Sequence, residues 1–255
     1  MEPMSLSPPP PLTALTDLQP QLTSAGYAVL DAASLAAIVN TRWTGPGEGT
    51  LSPLARFWDD LPPDAHLRDG GRYRRRRHGS FVVDGGAVEQ VPHRAHWQPV
   101  AYNALHGGYE RWFEPLAPAM AADSAFTALL LGLAGVASGL RPGVSRWYVE
   151  AHPFRIDCAE GIGRPTPEGA HRDGVDLVAV VLVARQGVKG GETRVFDARG
   201  PQGVRFTLTQ PFSALLLDDE RVIHETTPIQ PQADPVKAYR DTLVLTFRRG
   251  GFQDP

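Results

Sequence analysis

His171 and Asp173 stand two residues apart, and His224 follows about fifty residues later. Two imidazoles and one carboxylate are the ligand set that holds mononuclear non-haem Fe(II) on one face and leaves the opposite positions open for co-substrate and dioxygen. At a strand end, residues two apart point to the same face, so His171 and Asp173 can share one ion. The run that follows, Val175 to Val183, reads VDLVAVVLV, apolar and β-branched like a buried strand. His224 comes after a second such run, Phe212 to Leu217, and a polar Asp-Asp-Glu-Arg turn. A His-x-Asp with a distant His arises by chance in any long chain. Placement on strand ends within an all-β stretch is what turns it into an expected metal site.

Arg240 opens the segment RDTLVLTFR. Read as a strand, Arg240, Thr242, Val244, Thr246 and Arg248 share one face, and Asp241, Leu243, Leu245 and Phe247 share the other. A planar guanidinium pairs bidentately with a carboxylate, and a threonine two residues on can add a hydroxyl donor. Arg240 with Thr242 could therefore hold the distal carboxylate of a dicarboxylate such as 2-oxoglutarate. An edge strand with solvated arginines would show the same pattern. Arg248 fits a surface ion pair near the C-terminus as well as it fits the site.

The segment PTPEGAHRDGVDLV from Pro165, then Arg185, Gly190-Gly-Glu-Thr193 and LDDERVIHETTPI from Leu217, resembles the bacterial 2-oxoglutarate/Fe(II) dioxygenase family of free L-amino-acid hydroxylases. Upstream, Gly71-Arg-Tyr-Arg-Arg-Arg-Arg77, Gln98, Tyr102-Asn103 and Gly107-Gly108 are similar to the same family, so the likeness spans roughly residues 70 to 249. The family includes isoleucine hydroxylases and a branch linked to biofilm formation, stress and motility. The resemblance implies a mainly β fold with flanking helices (α+β), a double-stranded β-helix or jelly-roll, cupin-like barrel. Iron would sit at its open end on His171, Asp173 and His224. It also implies Fe(II), 2-oxoglutarate and O2 as reactants with a small substrate, a free L-amino acid hydroxylated at an unactivated C–H. Gln98, Tyr102 and Asn103 are substrate or co-substrate contacts on the resemblance alone.

The arginine run 72–77 has its own reading. On a strand, Arg72, Arg74 and Arg76 face one way, and Arg74 and Arg76 could grip the α-carboxylate of an amino acid. A solvated strand paired with nearby acids is the alternative. Nucleic acid is disfavoured because the neighbouring aromatics do not interleave as a stacking platform would, and a formal charge of −3 shows no basic excess. His93-x-x-His96 follows Pro92, lacks an evident carboxylate partner and reads as a loop, while His152 reads as a satisfied barrel histidine. Glu168, Arg172 and Asp176 either orient the ligands or face solvent.

With 255 residues the chain can bury one good core. Glycine (26) and proline (24) make up about a fifth of it, which favours short strands and turns. Residues 1–12 read as a flexible proline-rich tail and 13–255 as a single domain, with 13–144 supporting a barrel core at 145–250. Expected elements are a helix before a strand at Tyr27–Leu30, a helix from Ala32, a hairpin in 70–90, mainly helix in 108–140, and short strands from Arg146 onward. One cysteine, Cys158, excludes an internal disulfide framework and a thiolate zinc site. No leader is visible and the apolar stretch Ala125 to Leu140 is too short to cross a bilayer, so a cytoplasmic setting and no membrane partner are expected. Two other functions remain open: a 2-oxoglutarate-binding sensor or regulatory protein without turnover, and a cupin-type enzyme holding Zn or Mn.

Overall fold

The computed structural model describes residues 8–158, 161–233 and 237–255. In chain order the strands are β1 (Tyr27–Leu30), β2 (Arg74–Arg76), β3 (Gly79–Asp84), β4 (Ala87–Gln90), β5 (Arg146–Asp157), β6 (Leu177–Gln186) and β7 (Val188–Gly190). They continue with β8 (Thr193–Asp197), β9 (Gly203–Phe206), β10 (Ala214–Asp218), β11 (Val222–Thr226), β12 (Ile229–Pro231) and β13 (Tyr239–Arg248). The helices are α1 (Leu18–Ala25), α2 (Ala32–Asn40), α3 (Pro118–Ala121) and α4 (Ser124–Leu140). A large antiparallel sheet runs β1-β10-β6-β13-β5-β3-β4, with β2 also paired to β5. A smaller sheet, β11-β8-β9, and the ribbon β12-β7 complete a double-stranded β-helix.

The long central strands are apolar on both faces because each face meets a different core. From β6, Leu177, Ala179, Val181 and Val183 join Leu243, Leu245 and Phe247 of β13 in the core beneath the helices. From the other face of β6, Val178 and Leu182 pack with Val195, Phe206, Leu215 and Leu217 inside the barrel. Helix α4 is apolar nearly all round and lies buried on the outer face of the large sheet. It starts where the Asp123 carboxylate accepts from Ala125 N–H at 2.9 Å, and α2 starts in the same way on Asp31, which accepts from Ser34 N–H at 2.7 Å.

One expectation needs correction, a second is narrowed, and one element was not foreseen. Residues 108–117 are not helical: His78 N–H donates to Glu114 O (2.9 Å) and Leu116 N–H to His78 O (3.0 Å), and Pro115 and Pro118 deny a helix the donors it needs there. The hairpin in 70–90 is β3–β4 around Gly85-Gly86, whereas the arginines of β2 pair with β5. The ribbon β7–β12 was not anticipated. It rests on Gly190, which has φ +79° and where a Cβ would lie 2.4 Å from Pro228 O. At the N-terminus, Leu12 bridges Val29 and Thr13 N–H donates to Val29 O at 2.8 Å; the rest of the expected tail, residues 1–7, lies outside the described residues. Among those described, no helix is long and apolar enough to cross a membrane.

Leu133, fully buried on α4, gives a check on this packing. Leu133→Ala should cost about 2–5 kcal/mol, from lost burial plus the cavity left behind, and Asp123→Ala about 1 kcal/mol. Urea unfolding with unchanged m-values would measure both.

Candidate metal centre

His171 lies on the loop that leads into β6, and His224 lies on β11. Their backbones form a two-way bridge, His171 N–H to His224 O at 3.0 Å and His224 N–H to His171 O at 2.9 Å. This sets the two rings side by side, with centroids 4.6 Å apart. The Asp173 carboxylate reaches both, with Oδ1 3.9 Å from His171 Nε2 and Oδ2 3.9 Å from His224 Nε2. One ligand atom from each of the three residues falls within 4.8 Å of the others.

The donor set fits a divalent iron. His171 Nδ1–H donates to Gly169 O at 2.9 Å, which leaves the Nε2 lone pair for an ion. Asp173 Oδ1 accepts from Gln98 Nε2 at 3.2 Å. Burial opposes protonation of His171, but Asp173 and Glu168 outweigh it and raise its pKa, whereas burial followed by the neighbouring His171 drives that of His224 well below the usual range. The carboxylates of Asp173 and Glu168, 3.9 and 3.6 Å from His171 Nε2, place at the site negative charge that a cation would neutralise.

Asp219 shapes this loop, and the sequence reading missed it. Its fully buried carboxylate accepts from the N–H groups of Asp173 (3.0 Å), Gly174 (2.7 Å) and Val175 (3.1 Å). Burial, reinforced by Asp173, pushes its pKa up to about 7 despite these donors. Gly174 allows the turn, with φ +76°, and a Cβ there would lie 2.5 Å from the Tyr102 ring. The only signal for Asp219 was its place in the polar turn before His224.

One cavity of about 120 Å³ joins these ligands to Arg240 and Thr242. Arg240 is 4% exposed, and no carboxylate of the described residues lies within ion-pair distance of its guanidinium. Burial, then repulsion from Arg185, lowers its pKa to about 10. A dry guanidinium lacking a protein partner is suited to receive a ligand's carboxylate. On the opposite face of β13, Asp241 is bound bidentately by Arg155 (2.8 and 2.7 Å) and takes no part.

The far wall carries Arg74, Arg76, Gln98 and Asn103, all among the expected residues, and Arg111, which was not expected. Arg74 Nε donates to Asp64 at 2.6 Å. Arg76 lies between the Phe113 and Phe154 rings, 3.6 and 4.2 Å from their centroids, and meets His152 Nδ1 at 2.6 Å. Gln98 Oε1 accepts from Arg111 Nη2 (2.8 Å) and Asn103 Nδ2 (3.2 Å), which turns the Gln98 amide N–H toward Asp173. Glu168 also faces the cavity, Oε1 3.6 Å from His171 Nε2 and Oε2 buried without a partner.

Two expected residues fall elsewhere. Tyr102 packs over Gly174 and is not part of the cavity wall. Arg248, at the end of β13, donates to Gly251 O (2.6 Å) and Phe252 O (3.3 Å) and so pins the C-terminal segment instead. Arg172 donates to Asp219 O at 2.5 Å, and Asp176 is tied to Arg141 at 3.0 Å.

His96 is in a loop, as expected, but it does have a carboxylate partner. Glu150 accepts from His96 Nδ1 (3.1 Å) and His78 Nε2 (3.0 Å), and His152 completes a second buried group of donors. The guanidinium groups of Arg94, 3.4 Å from Glu150, and of Arg76 already supply positive charge beside it. A hydrogen-bonded network therefore fits this cluster better than a second ion.

Asp219→Ala would leave three buried N–H groups unpaired, and its Fe(II) affinity should fall by about 10–100-fold, read by anaerobic titration. Burial lowers His96 to about 4 from a usual 6.5. Below pH 6.5 the unfolded chain therefore binds more protons than the folded one, and stability present above that pH is lost as pH falls toward 4. The melting temperature should drop over this window, and His96→Gln should flatten the drop.

Residues 55–246 match the family model described as 2OG-Fe dioxygenase. The chain is 54% identical to a bsmA homolog from Methylobium petroleophilum PM1, with 96% of each chain covered and a TM-score of 0.87. It shares its fold with IDO from Bacillus thuringiensis (15% identity, 95% of this chain and 97% of that one, TM-score 0.70). The same holds for the Fe(II)/α-ketoglutarate-dependent dioxygenase TqaL (20% identity, 94% and 90% covered, TM-score 0.68). No curated protein matches the sequence. The iron-binding geometry, the unpaired guanidinium and these likenesses agree: the chain belongs to the 2OG-Fe dioxygenase family, enzymes that use Fe(II), 2-oxoglutarate and O2.

Proposed function

We propose that this dioxygenase hydroxylates an unactivated C–H of a free L-amino acid. The observation that carries this reading is the pairing of opposite charges across the wall facing the iron ligands. Arg76 is a buried guanidinium with no carboxylate of the described residues at ion-pair distance, while Glu168 Oε2 is a buried carboxylate oxygen without a hydrogen-bond donor. A zwitterion satisfies both at once, its carboxylate at Arg76 beside Arg74 and its ammonium at Glu168.

When bound, Fe(II) with 2-oxoglutarate and O2 supplies the oxidative decarboxylation that drives C–H hydroxylation. The protein's own residues position the reactants. Arg240 and Thr242 hold the distal carboxylate of the co-substrate, and His171, Asp173 and His224 fix the ion. Gln98, with its oxygen held by Arg111 and Asn103, keeps Asp173 oriented. Arg76 and Glu168 orient the amino acid so that one carbon faces the iron, and this positioning provides most of the selectivity.

Succinate release with Fe(II), ascorbate and a panel of L-amino acids tests the reading. Stimulated release with at least one free amino acid is expected, and it should vanish in His171→Ala. Arg240→Ala should raise the KM for 2-oxoglutarate by about two orders of magnitude, the loss of a buried charge pair costing about 2–5 kcal/mol. Binding of 2-oxoglutarate without succinate from any amino acid would instead mark a sensor.

A further inference from the structure

We infer that the substrate is an amino dicarboxylate, an amino acid whose side chain carries a second carboxylate. The inference rests on the zwitterion reading and asks what remains once that reading is satisfied. Three guanidinium groups face the cavity opposite the metal centre: Arg74, Arg76 and Arg111. Asp64 neutralises Arg74 at 2.6 Å. Neither Arg76 nor Arg111 has a carboxylate of the described residues within ion-pair distance, and both keep a buried Nε without an acceptor. Arg111 spends one nitrogen on the neutral amide of Gln98 at 2.8 Å.

The charges can be followed through the loaded site. Asp173 and the two carboxylates of 2-oxoglutarate cancel Fe(II) and Arg240. Glu168 cancels one of Arg76 and Arg111. Among the described residues one buried guanidinium is left, because Arg94 at 3.4 Å offsets Glu150 and burial keeps His96 and His152 from adding further positive charge. A neutral zwitterion such as an aliphatic amino acid would leave that charge dry and unpaired, which is costly. An ammonium with two carboxylates leaves nothing over.

Polar and charged side chains outnumber apolar ones along the wall. Its apolar side chains are Phe154, Ile156, Pro165, Val180 and Val244. Phe154 already stacks on Arg76 and His152, and Val180 and Val244 are a cross-strand pair on the central strands β6 and β13.

Anaerobic calorimetry on the enzyme loaded with Fe(II) and 2-oxoglutarate is the test. The ligands are L-aspartate, L-glutamate and L-2-aminoadipate, set against L-asparagine, L-glutamine, L-leucine and L-isoleucine. At least one acid should bind on the order of tenfold tighter than its neutral counterparts. Arg111→Gln should weaken the acids more than the neutral ligands and so reduce that preference, with Fe(II) affinity read alongside because Arg111 also holds Gln98. Arg76→Met, which removes the group assigned to the α-carboxylate, should weaken acids and neutral ligands alike, and if neither variant loads iron the wild-type panel decides. Neutral ligands binding as well as the acids, or no acid binding at all, overturns the inference. Succinate release is a separate readout: an acid that binds tightly without being turned over leaves the charge argument standing and removes the hydroxylase reading.

Discussion

The pair of main-chain hydrogen bonds between His171 and His224 is the constraint on which the metal centre depends. These residues are far apart in sequence, one on an irregular loop and one on a strand of the small sheet, and this bridge sets them side by side. Side-chain rotamers alone would not hold a loop residue to the tolerance that coordination demands. Asp219 then bends the next three residues around its own oxygens and presents Asp173 to the same point. Iron binding in this chain is thus organised largely by backbone.

The second organising principle is electrostatic. Buried guanidinium groups are expensive unless paired, and this cavity contains several that no carboxylate of the described residues pairs. Such a site lowers the stability of the fold in exchange for affinity toward anions, the usual trade between stability and function. The surrounding structure shows where compensation lies. The aromatic faces of Phe113 and Phe154 enclose Arg76, and Glu150 gathers Arg94, His78 and His96 into one hydrogen-bonded network.

How far the sequence could be read follows from the range of the interactions involved. The strand period of β13 was local, and it correctly separated Arg240 and Thr242 from Leu243, Leu245 and Phe247. The three residues expected to bind metal stood out because their residue types are chemically restrictive, and the structure brings them together. Arg111 and Glu150 carried no such mark: what sets them apart is their partners, Gln98 and His96, which depend on tertiary placement. Arg248 had the right periodicity but sits where the strand passes beyond the cavity, and periodicity does not report where a face ends. The non-helical stretch 108–117 was misread because its pairing partner, His78, is thirty residues or more away.

Arg240 has a wider consequence. No carboxylate of the described residues pairs with it, and in the role proposed for it the co-substrate would be its counter-ion. By mass action a ligand at a hundred times its dissociation constant adds about 2.7 kcal/mol to the folded state. In that role the folded chain would resist unfolding more strongly when 2-oxoglutarate is plentiful than when it is scarce.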